Sequence, residues 1–579
     1  MRSHRILPSL VLPMLLAIFA RTAHAHWQVD GGPVCVEINS QANPRIIPDG
    51  SGGAIIVWED QRAGTLRIYA QHVLASGAVD PSWPTNGQVL CSAFNNQPEA
   101  MIASDGAGGA IVAWKDPRPG SNYDIYAQHV LASGTVDPAW PVNGRALCTA
   151  ADNQSSPQIV ADGAGGAIVA WQDLRAGLPN SNIYAQHVLA TGAVDAAWPV
   201  DGRALCAPTY DLNAHRITSD GAGGAIVTWF DFRNGVRYHI YAQRVLASGA
   251  IDPAWPVDGR EVCTAESGQF SPDLISDGAG GAILAWSDYR VLGFDIYAQH
   301  VLASSANDPA WPVDGRAICT APNHQREPHL VSDGAGGAII SWQDMRVGEL
   351  DVYAQHLKSN GAVNPVWPAD GRALCSATNH QVLSQMVADG AGGAIVTWED
   401  QRNISDHDIY AQHVLSSGAV DPAWTADGTA LCKAANNQLS PTIAQDGSGG
   451  GIVAWSDLRG GDSDIYASRI YASGVLADVP RSAAMAGVEL DSPYPNPSRR
   501  GPIMISFDLP ASARASIDVL DPSGRRIRKV ALDRDVPAGH QAIEWDGRDD
   551  RGARVPVGLY FVRLRSAGRS VARPLVFAD

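Results

Sequence analysis

The chain has 579 residues, several times the size of one ordinary domain, so we expect at least two folding units. It is 45% hydrophobic and only 17% charged, with 58 Gly and 37 Pro. This composition excludes a coiled coil and a disordered polymer, and it favours short strands joined by tight turns. The net charge of −17 argues against a nucleic-acid binder, since such proteins need basic patches to displace counterions.

The first 25 residues predict a secretory signal peptide. Arg2 and Arg5 give a positive start, residues 6–20 are apolar, and Ala-His-Ala at 23–25 is a small-residue cleavage site. The apolar core is shorter than the roughly 20 residues that span a bilayer. We therefore expect cleavage after Ala25, no membrane span, and a secreted, extracellular or cell-surface location.

A repeat of 56 to 58 residues dominates the rest of the chain. Sequences like DGAGGAIVAW recur eight times, and each ends in a Trp. A second Trp opens segments such as WPVDGRALC, and a Cys follows it at a fixed offset of eight residues. Such regular self-similarity indicates a repeat architecture. The Trp residues that end the first motif are Trp58, Trp114, Trp171, Trp229, Trp286, Trp342, Trp398 and Trp455.

Each repeat predicts four strands. In the third repeat these are 157–162, 167–173, 182–190 and the segment that ends at 203–206, with a Gly-rich hairpin turn after the first. The second strand, AIVAWQD, is apolar on both faces, which indicates a sheet that is covered on both sides. Four-stranded sheets covered by copies of themselves are the blades of a β-propeller.

Residues 26–478 are predicted to form an eight-bladed β-propeller closed by its N-terminal strand. The last repeat stops after its third strand, and the missing segment stands at the start of the mature chain. There, Trp27–Cys35 (WQVDGGPVC) matches Trp255–Cys263 (WPVDGREVC). We expect this strand to complete the last blade and so remove an open sheet edge. An open solenoid would instead carry polar capping repeats.

The eight cysteines, one per repeat, are predicted to be buried free thiols. An exported protein with eight Cys would ordinarily form four disulfides. Equivalent positions in stacked sheets, however, lie about 10 Å apart, whereas the Cα atoms of a disulfide lie within roughly 7 Å. We therefore expect small apolar fillers in place of cross-links.

The C-terminal part differs in composition from the repeats. After a predicted linker at 479–491, residues 492–579 alternate apolar runs with turn signals, as in a small β-sandwich. The segments SPYPNPSRRGPIMISFDLP, DVLDPSGRRIR and AGHQAIEWDGRDDRGARVPVGLYFVRL resemble the FlgD-type immunoglobulin-like domain, which is similar to type IX secretion sorting domains. This resemblance implies an accessory or sorting module, with export machinery as a partner. The repeats resemble uncharacterised Gly- and Trp-rich repeats of secreted bacterial proteins, which implies no activity.

Three sets of polar residues recur and are predicted to be structural. Each second strand ends in Trp-x-Asp-x-Arg, where the Arg neutralises the charge that a metal ion would need. The Asp before each Gly-rich turn is expected to bind local backbone N–H groups. The His of YAQH is replaced by Arg244 and Arg469 in two repeats, so we expect a polar outer-strand position. The functional alternatives are a ring of carboxylates that holds cations or a substrate, and a histidine metal site. We predict neither a metal nor a cofactor.

Function is expected where the repeats differ. The loop after the second strand varies in length and chemistry, and in the fourth and fifth repeats it is aromatic. Exposed aromatic side chains stack on sugar rings or anchor peptides, and the alternative is that they only cover loop backbone. The candidate ligand-binding residues are Phe230, Phe232, Tyr238, Tyr289 and Phe294.

No catalytic motif stands out, so we predict no catalytic residue. The preferred hypothesis is a secreted, monomeric, non-enzymatic propeller that binds a glycan or a surface protein through loops on one face. A carbohydrate-active hydrolase is the main alternative, because paired acids can lie far apart in sequence. A purely structural envelope protein is the third hypothesis.

Overall fold

A computed structural model provides the coordinates. It describes residues 27, 30–93, 96–118, 122–177, 181–206, 212–474, 476, 489–490, 493, 503–509, 512–536, 539–566 and 569–577. The predicted signal peptide and most of the predicted linker lie outside these residues. Every regular element that is described is a β-strand, which confirms the all-β fold class. The described part of the chain has no helix long and apolar enough to cross a membrane.

The repeat region forms eight four-stranded antiparallel sheets. The last of them combines β1 (Gly32–Cys35) with three strands from the end of the region. Sheets one to four are β2 (Gln41–Pro48), β3 (Ala54–Asp60), β4 (Arg67–Val73), β5 (Gln88–Val89); β6 (Met101–Ser104), β7 (Ala110–Asp116), β8 (Asp124–Val130), β9 (Arg145–Cys148); β10 (Gln154–Ala161), β11 (Ala167–Asp173), β12 (Asn182–Val188), β13 (Arg203–Cys206); and β14 (Leu212–Ser219), β15 (Ala225–Asp231), β16 (His239–Val245), β17 (Arg260–Glu261). Sheets five to eight are β18 (Gln269–Ser276), β19 (Ala282–Val291), β20 (Gly293–Val301), β21 (Arg316–Cys319); β22 (Gln325–Ser332), β23 (Ala338–Asp344), β24 (Asp351–Leu357), β25 (Arg372–Cys375); β26 (Gln381–Ala388), β27 (Ala394–Asp400), β28 (Asp408–Val414), β29 (Thr429–Cys432); and β30 (Gln438–Gln445), β31 (Gly451–Asp457), β32 (Asp464–Ile470) with β1. These repeated sheets are consistent with a β-propeller.

The four strands predicted in each repeat are present, and in the third repeat the first begins earlier than expected. In the third repeat the first strand starts at Gln154, and its register shifts between Ser155 and Gln158. Ser156 lies at this bulge with φ +53°, and an equivalent non-glycine residue with positive φ occurs in every repeat. A bulge bends the strand and adds twist, which a hydrophobic pattern does not reveal. The equivalent residues are Asn43, Glu99, Ser156, Ala214, Ser271, Glu327, Leu383 and Ser440.

The second strands form the core between sheets. Ile55 and Val57 of β3 pack in one cluster with Val112 and Trp114 of β7, so one face of each sheet covers the opposite face of the next. This explains why these strands are apolar on both faces. The strand-end Trp side chains are fully buried in all eight sheets, and replacing a buried Trp by Ala typically costs about 3–5 kcal/mol.

The N-terminal strand pairs with the last repeat, as predicted. In β1, Pro33 lies opposite Tyr466 of β32. Arg459 Nη2 donates a hydrogen bond to the Asp30 carbonyl oxygen at 2.6 Å. Trp27 packs in the same core cluster as residues of the first and last sheets, and its Nε1 donates to the Ala75 carbonyl oxygen at 3.2 Å. The two ends of the repeat region are therefore joined by paired strands and a shared core.

The C-terminal region forms two sheets around one core. Leu490 belongs to this core and pairs with Phe507, so Glu489 and Leu490, predicted as linker, form a strand of this domain. The apolar side chain of Leu490 is fully buried in the sandwich, which explains why this segment forms a strand of the domain. The three-stranded sheet contains β33 (Glu489–Leu490), β34 (Ile503–Leu509) and β37 (Gly539–Trp545), and the four-stranded sheet contains β35 (Ala513–Leu520), β36 (Arg526–Val536), β38 (Gly558–Ser566) and β39 (Arg569–Phe577).

Candidate functional site

The structure brings the five predicted aromatic residues to one edge of the fourth and fifth sheets. Phe232 and Tyr238 flank the connection from β15 to β16, as expected for loop residues. Phe230 lies in β15, Tyr289 in β19 and Phe294 in β20. The prediction that all five belong to loops is therefore wrong for these three residues.

The β19–β20 hairpin explains part of this difference, because its strands continue past the point where other repeats open into a loop. Asp288 lies opposite Asp295, as in other repeats, and pairing then resumes with Val291 opposite Gly293. Leu292 forms the tip and is 97% exposed. Gly293 has φ +132°, and a Cβ there would lie 2.5 Å from the Asn323 carbonyl oxygen. Glycine is therefore required for this close approach.

The five rings fall into two groups of contacts. In the fourth sheet, the Tyr238 ring centroid lies 5.2 Å from that of Phe230 and 5.1 Å from that of Phe232. In the fifth sheet, the centroids of Tyr289 and Phe294 lie 5.1 Å apart, with an interplanar angle of 61°. These are the separations of favourable edge-to-face and tilted aromatic pairs.

Phe270 of β18 joins the two groups and was not predicted. Its ring centroid lies 5.7 Å from that of Phe230, 5.5 Å from Tyr238 and 5.6 Å from Phe294. The backbone N–H of Gln269 donates to the Tyr238 carbonyl oxygen at 2.8 Å, which holds Phe270 against the neighbouring sheet. We call these six side chains the aromatic cluster: Phe230, Phe232, Tyr238, Phe270, Tyr289 and Phe294.

A sequence signal for Phe270 does exist. It is the residue after the Gln or Leu at the start of a first strand, and no other repeat has an aromatic residue there. The signal is weak because the position lies outside the variable loop in the sequence. The equivalent residues are Ala42, Pro98, Ser155, Asn213, Arg326, Val382 and Leu439.

The accessible edge of the aromatic cluster lies in the fifth sheet. Tyr289 is 45% exposed, whereas the other five rings are half-buried. The Phe294 N–H donates to His324 Nδ1 at 3.2 Å, and the exposed Arg326 guanidinium lies 5.8 Å from the Phe294 ring centroid. The cluster therefore presents one exposed phenol with a cationic side chain close by.

The Trp-x-Asp-x-Arg motif has the structural role that was predicted. In the fifth sheet, Trp286 Nε1 donates to Asp288 Oδ2 at 2.9 Å, and Arg290 Nη2 lies 2.6 Å from the same oxygen. The guanidinium lies over the Tyr297 ring at 3.6 Å from its centroid. The same Trp–Asp and Arg–Asp contacts occur in all eight sheets.

The cysteines lie where neighbouring sheets meet. All eight are buried and unpaired, as the repeat geometry predicts. Arg290 of the fifth sheet donates from Nη2 to Cys263 Sγ of the fourth at 3.5 Å. Burial raises the pKa of Cys263 to about 12, although Arg290 opposes the shift. These thiols are therefore neutral structural groups at physiological pH.

The turn aspartates and the histidines form one repeated network. Asp277 Oδ1 accepts from the N–H of Ala279 at 2.7 Å, which confirms the expected Asx turn. Its Oδ2 lies 3.0 Å from His300 Nε2, and His300 Nδ1 lies 2.9 Å from Asp308 Oδ2. The expected outer-strand position of the histidine is wrong: β20 is the third strand of four, and the ring packs against Trp311. Paired carboxylates explain why Arg244 can replace His, since it contacts Asp220 and Asp252, and Arg469 contacts the turn carboxylate of Asp446.

A second set of aspartates has a raised pKa. Asp351 starts β24 opposite Asp344, and burial followed by repulsion from Asp344 raises its pKa to about 7. Burial likewise raises the pKa of Asp295 to about 6. Both are nearly fully buried, and Asp344 is held by Arg346. Among the described residues, no three His, Cys, Asp or Glu side chains are grouped to hold a metal ion.

Comparisons with solved structures return weak likenesses. The β-propeller domain of the trilobed protease from Pyrococcus furiosus matches at 10% identity and TM-score 0.36, over 68% of this chain and 98% of that one. A polysaccharide lyase, ulvan lyase, matches at 10% identity and TM-score 0.39, over 78% and 95%. PorZ, a surface component of the type-IX secretion system of Porphyromonas gingivalis, matches at 11% identity and TM-score 0.21, over 95% and 100%. No ligand or activity follows from likenesses at this level.

A search of curated protein sequences finds no match. The family comparison concerns the C-terminal sandwich, for which the sequence already resembles a known domain type. Residues 498–570 match the family model of the FlgD Ig-like domain.

Proposed function

We propose that the eight sheets are the blades of a closed eight-bladed β-propeller. The support is the order of contacts among the first strands of the sheets. Each first strand contacts the first strand of the next sheet, and β30 of the last sheet contacts β2 of the first sheet. The pairing of β1 with β32 supports the same arrangement. In this closed arrangement, residues 26–478 form the propeller, and the first strands of the eight sheets surround a central channel.

We propose that this propeller is a secreted or cell-surface binding protein without enzymatic activity, and that its ligand is a carbohydrate. The aromatic cluster is the observation that carries this proposal. It is a continuous set of six rings across two sheets, in a molecule whose repeats are otherwise nearly identical. Tyr289 offers an exposed ring for stacking on a sugar, while the half-buried rings behind it hold its position.

A protein partner is the second candidate ligand. It is favoured by the aliphatic side chains next to the aromatic cluster: Leu292 is 97% exposed, Val236 69% and Val291 57%. Aliphatic side chains exposed together are typical of protein contact surfaces. A carbohydrate, in contrast, would contact mainly the Tyr289 ring, and its binding would depend little on Leu292 at the hairpin tip. Variants of Tyr289 and Leu292 therefore separate the two candidates.

The FlgD Ig-like domain is proposed to be an accessory or sorting module that engages export machinery or the cell surface. The propeller would then present its aromatic cluster outside the cell, as a monomer. The hydrolase alternative requires two separate carboxylates facing one pocket. It is tested by incubating the protein with polysaccharides and measuring newly formed reducing ends.

A glycan array with the full chain, without the predicted signal peptide, tests the binding proposal. We expect specific binding that falls at least tenfold in Tyr289→Ala and in Tyr238→Ala. Tyr123→Ala is the matched control for the second variant, since Tyr123 precedes β8 as Tyr238 precedes β16 and lies outside the cluster. No binding of the wild type on the array, together with capture of a protein partner that Leu292→Asp loses and Tyr289→Ala keeps, would favour the protein candidate. Equal binding by the wild type and both cluster variants would reject the aromatic cluster as the site.

A further inference from the structure

A second position also varies among the otherwise similar repeats. In seven first strands it directly follows the register shift, and in the second repeat it begins β6; in every case it lies opposite a small or β-branched residue of the second strand. The eight residues include both charges and several polar types, unlike the neighbouring repeat positions. They are Arg45, Met101, Gln158, Arg216, Asp273, His329, Gln385 and Thr442.

Four of these side chains line one cavity of about 420 Å³. Arg45, Met101, Gln158 and Arg216 reach it from the first strands of sheets one to four. A cavity bordered by the first strands of four sheets corresponds to the mouth of the proposed central channel. Its volume lies within the range of small-molecule sites, roughly 300–1,000 Å³.

Within the part of the chain that the structure describes, the two arginines of this cavity form no salt bridge with a carboxylate. Arg45 Nη1 donates to the Pro44 carbonyl oxygen at 3.0 Å, and Arg216 Nη1 donates to the His215 carbonyl oxygen at 3.1 Å. Among the residues that the structure describes, neither guanidinium has an acidic group within salt-bridge distance. Each therefore keeps several N–H donors directed to the cavity or to solvent.

The arginines are also close enough to repel each other. Burial lowers the pKa of Arg45; attraction to Glu59 opposes this shift, and the smaller repulsion from Arg216 adds to it. Glu59 itself is engaged by backbone and side-chain donors: its Oε1 accepts from the Glu99 N–H at 2.6 Å and its Oε2 from Asn43 Nδ2 at 3.0 Å. Two like charges are thus held near one another in a chain of net charge −17.

The other ionisable groups of the cavity do not cancel this charge. Glu99 forms an ion pair with Lys115, and its Oε2 accepts from the Ser156 N–H at 2.7 Å. Burial lowers the pKa of His215 to about 4, so its ring is neutral at physiological pH. In the first strand of the next sheet, Asp273 lies 3.5 Å from His329, and its hydrogen bond to His329 and, to a smaller extent, attraction to Arg216 lower the pKa of Asp273 against the effect of burial. The cavity therefore carries the positive charge of Arg45 and Arg216.

We propose that this cavity binds an anionic group through Arg45 and Arg216: a carboxylate, a sulfate or a phosphate. A guanidinium presents paired N–H donors that match the oxygens of these groups, and partial burial strengthens the interaction. An anion between the arginines would replace their repulsion by attraction. The site is separate from the aromatic cluster, although Asn213 at its edge lies directly opposite Phe230.

The test uses the full chain without its predicted signal peptide and three anionic probes: sodium sulfate, sodium phosphate and sodium glucuronate. Binding is measured by calorimetry and by thermal unfolding, with sodium chloride at equal ionic strength and glucose as the neutral sugar. We expect saturable binding of at least one anionic probe, and none of glucose. Preference for glucuronate assigns the site to acidic sugars, whereas preference for sulfate or phosphate assigns it to free oxyanions.

The double variant Arg45→Gln, Arg216→Gln is expected to weaken this binding at least tenfold. Without an added anion at low ionic strength, it should unfold at the same or a higher temperature than the wild type, because the cost of burying two guanidinium charges and their mutual repulsion are both removed. Arg525→Gln in the C-terminal domain is the control, since it removes one charge from an exposed side chain. Equal binding by the double variant, or probes that bind the wild type no better than chloride does, would overturn the proposal.

Discussion

The rings of Phe230 and Phe270 meet at 5.7 Å with an interplanar angle of 65°, although the two residues belong to neighbouring sheets. Through this contact the aromatic cluster crosses the boundary between the fourth and fifth sheets. The Tyr238–Phe270 contact, at 5.5 Å between ring centroids, crosses the same boundary, so Phe270 joins both rings of the fourth sheet to those of the fifth.

A double-mutant cycle on Phe230→Leu and Phe270→Leu measures this contact. We expect the two changes in free energy of unfolding to be non-additive by about 0.5–1.5 kcal/mol, the usual range for an aromatic pair. The control cycle combines Phe232→Leu with Tyr289→Leu, whose contacts lie in different sheets and share no ring. Additivity in the first cycle would mean that the rings do not interact energetically.

The hairpin tip provides a second prediction, through Gly293. A Cβ at this position would lie 2.5 Å from the Asn323 carbonyl oxygen, and φ is +132°. Gly293→Ala should therefore displace the hairpin and Phe294, at a cost of about 1–3 kcal/mol in stability. Gly461→Ala is the control: it also has positive φ, but its Cβ would meet open space. We expect a clearly larger fall in unfolding temperature for Gly293→Ala, and equal falls would contradict the close approach.

The repeat pattern predicted most of the propeller-like region because each residue type recurs in the same environment. The apolar second strands, the Gly-rich turns and the pairing of Trp27–Cys35 with the last repeat all follow from sequence similarity between repeats. The bulges were missed, since positions such as Ala214 and Leu383 show no turn-forming residue despite their positive φ. A bulge depends on the register between two strands, which the pattern of one strand does not contain.

The candidate site was predicted in part, for a related reason. Five aromatic residues were found by comparing loops of different repeats. Phe270 was missed because it is separated from Tyr238 by 31 intervening residues and reaches it only across two sheets. The cavity arginines were also missed. Arg45 and Arg216 stand in first strands, where each reads as one polar residue in an alternating pattern, and their proximity arises from the arrangement of sheets.

The Asp–His–Asp network predicts a dependence of stability on pH. Burial opposes protonation of His300, but its hydrogen bonds to Asp277 and Asp308 outweigh this and raise its pKa above 6.5. Protonated His300 therefore contributes fully to stability below about pH 6.5, and this contribution is lost as the pH rises through its raised pKa. The pKa values of Asp277 and Asp308 lie below 3.8, so their contribution is lost only in acid. The network is therefore strongest between about pH 4 and 6.5.

His300→Arg tests this network with a replacement that the chain itself uses. Arg244 lies 2.9 Å from Asp220 and 3.3 Å from Asp252 at the equivalent position. Because arginine stays charged, the variant should keep this part of its stability above pH 7, where the wild type loses on the order of 0.5–1 kcal/mol. His300→Gln is the control and should be less stable than the wild type near pH 6. If the free energies of unfolding of the wild type and His300→Arg changed equally from pH 5 to pH 8, the prediction would be contradicted.

Thiol reactivity tests the positions of the cysteines. Burial raises the pKa of Cys35 and Cys432 to about 12, so very little thiolate exists near neutral pH. We expect the native protein to react slowly with iodoacetamide, and the denatured, unreduced protein to gain eight modifications by mass spectrometry. Fewer than eight modifications after denaturation would reveal disulfides and contradict the arrangement of one buried thiol at each sheet boundary.

The buried aspartate Asp351 gives the last prediction. Its pKa is raised to about 7 by burial and by repulsion from Asp344, and its Oδ2 has no hydrogen-bond partner. The folded protein therefore holds this proton more tightly than the unfolded chain, and stability falls as the pH rises from about 4 through 7. Asp351→Asn removes the ionisable group, and Asn182 already occupies the equivalent position opposite Asp173 in the third sheet.

We expect Asp351→Asn to raise the free energy of unfolding by about 1–2 kcal/mol near pH 8 and to have little effect near pH 5. The measurement is thermal unfolding of wild type and variant across this range. Asp314→Asn serves as a control, because this aspartate lies in a half-buried turn and its carboxylate accepts from the Thr264 N–H at 2.6 Å. That variant should change stability little at either pH, because Asn143 accepts the equivalent hydrogen bond from the Ser92 N–H at 2.8 Å. A fall in stability of Asp351→Asn near pH 8 would show that the ionised carboxylate is stabilised in the folded protein, contrary to the repulsion described for Asp344 and Asp351.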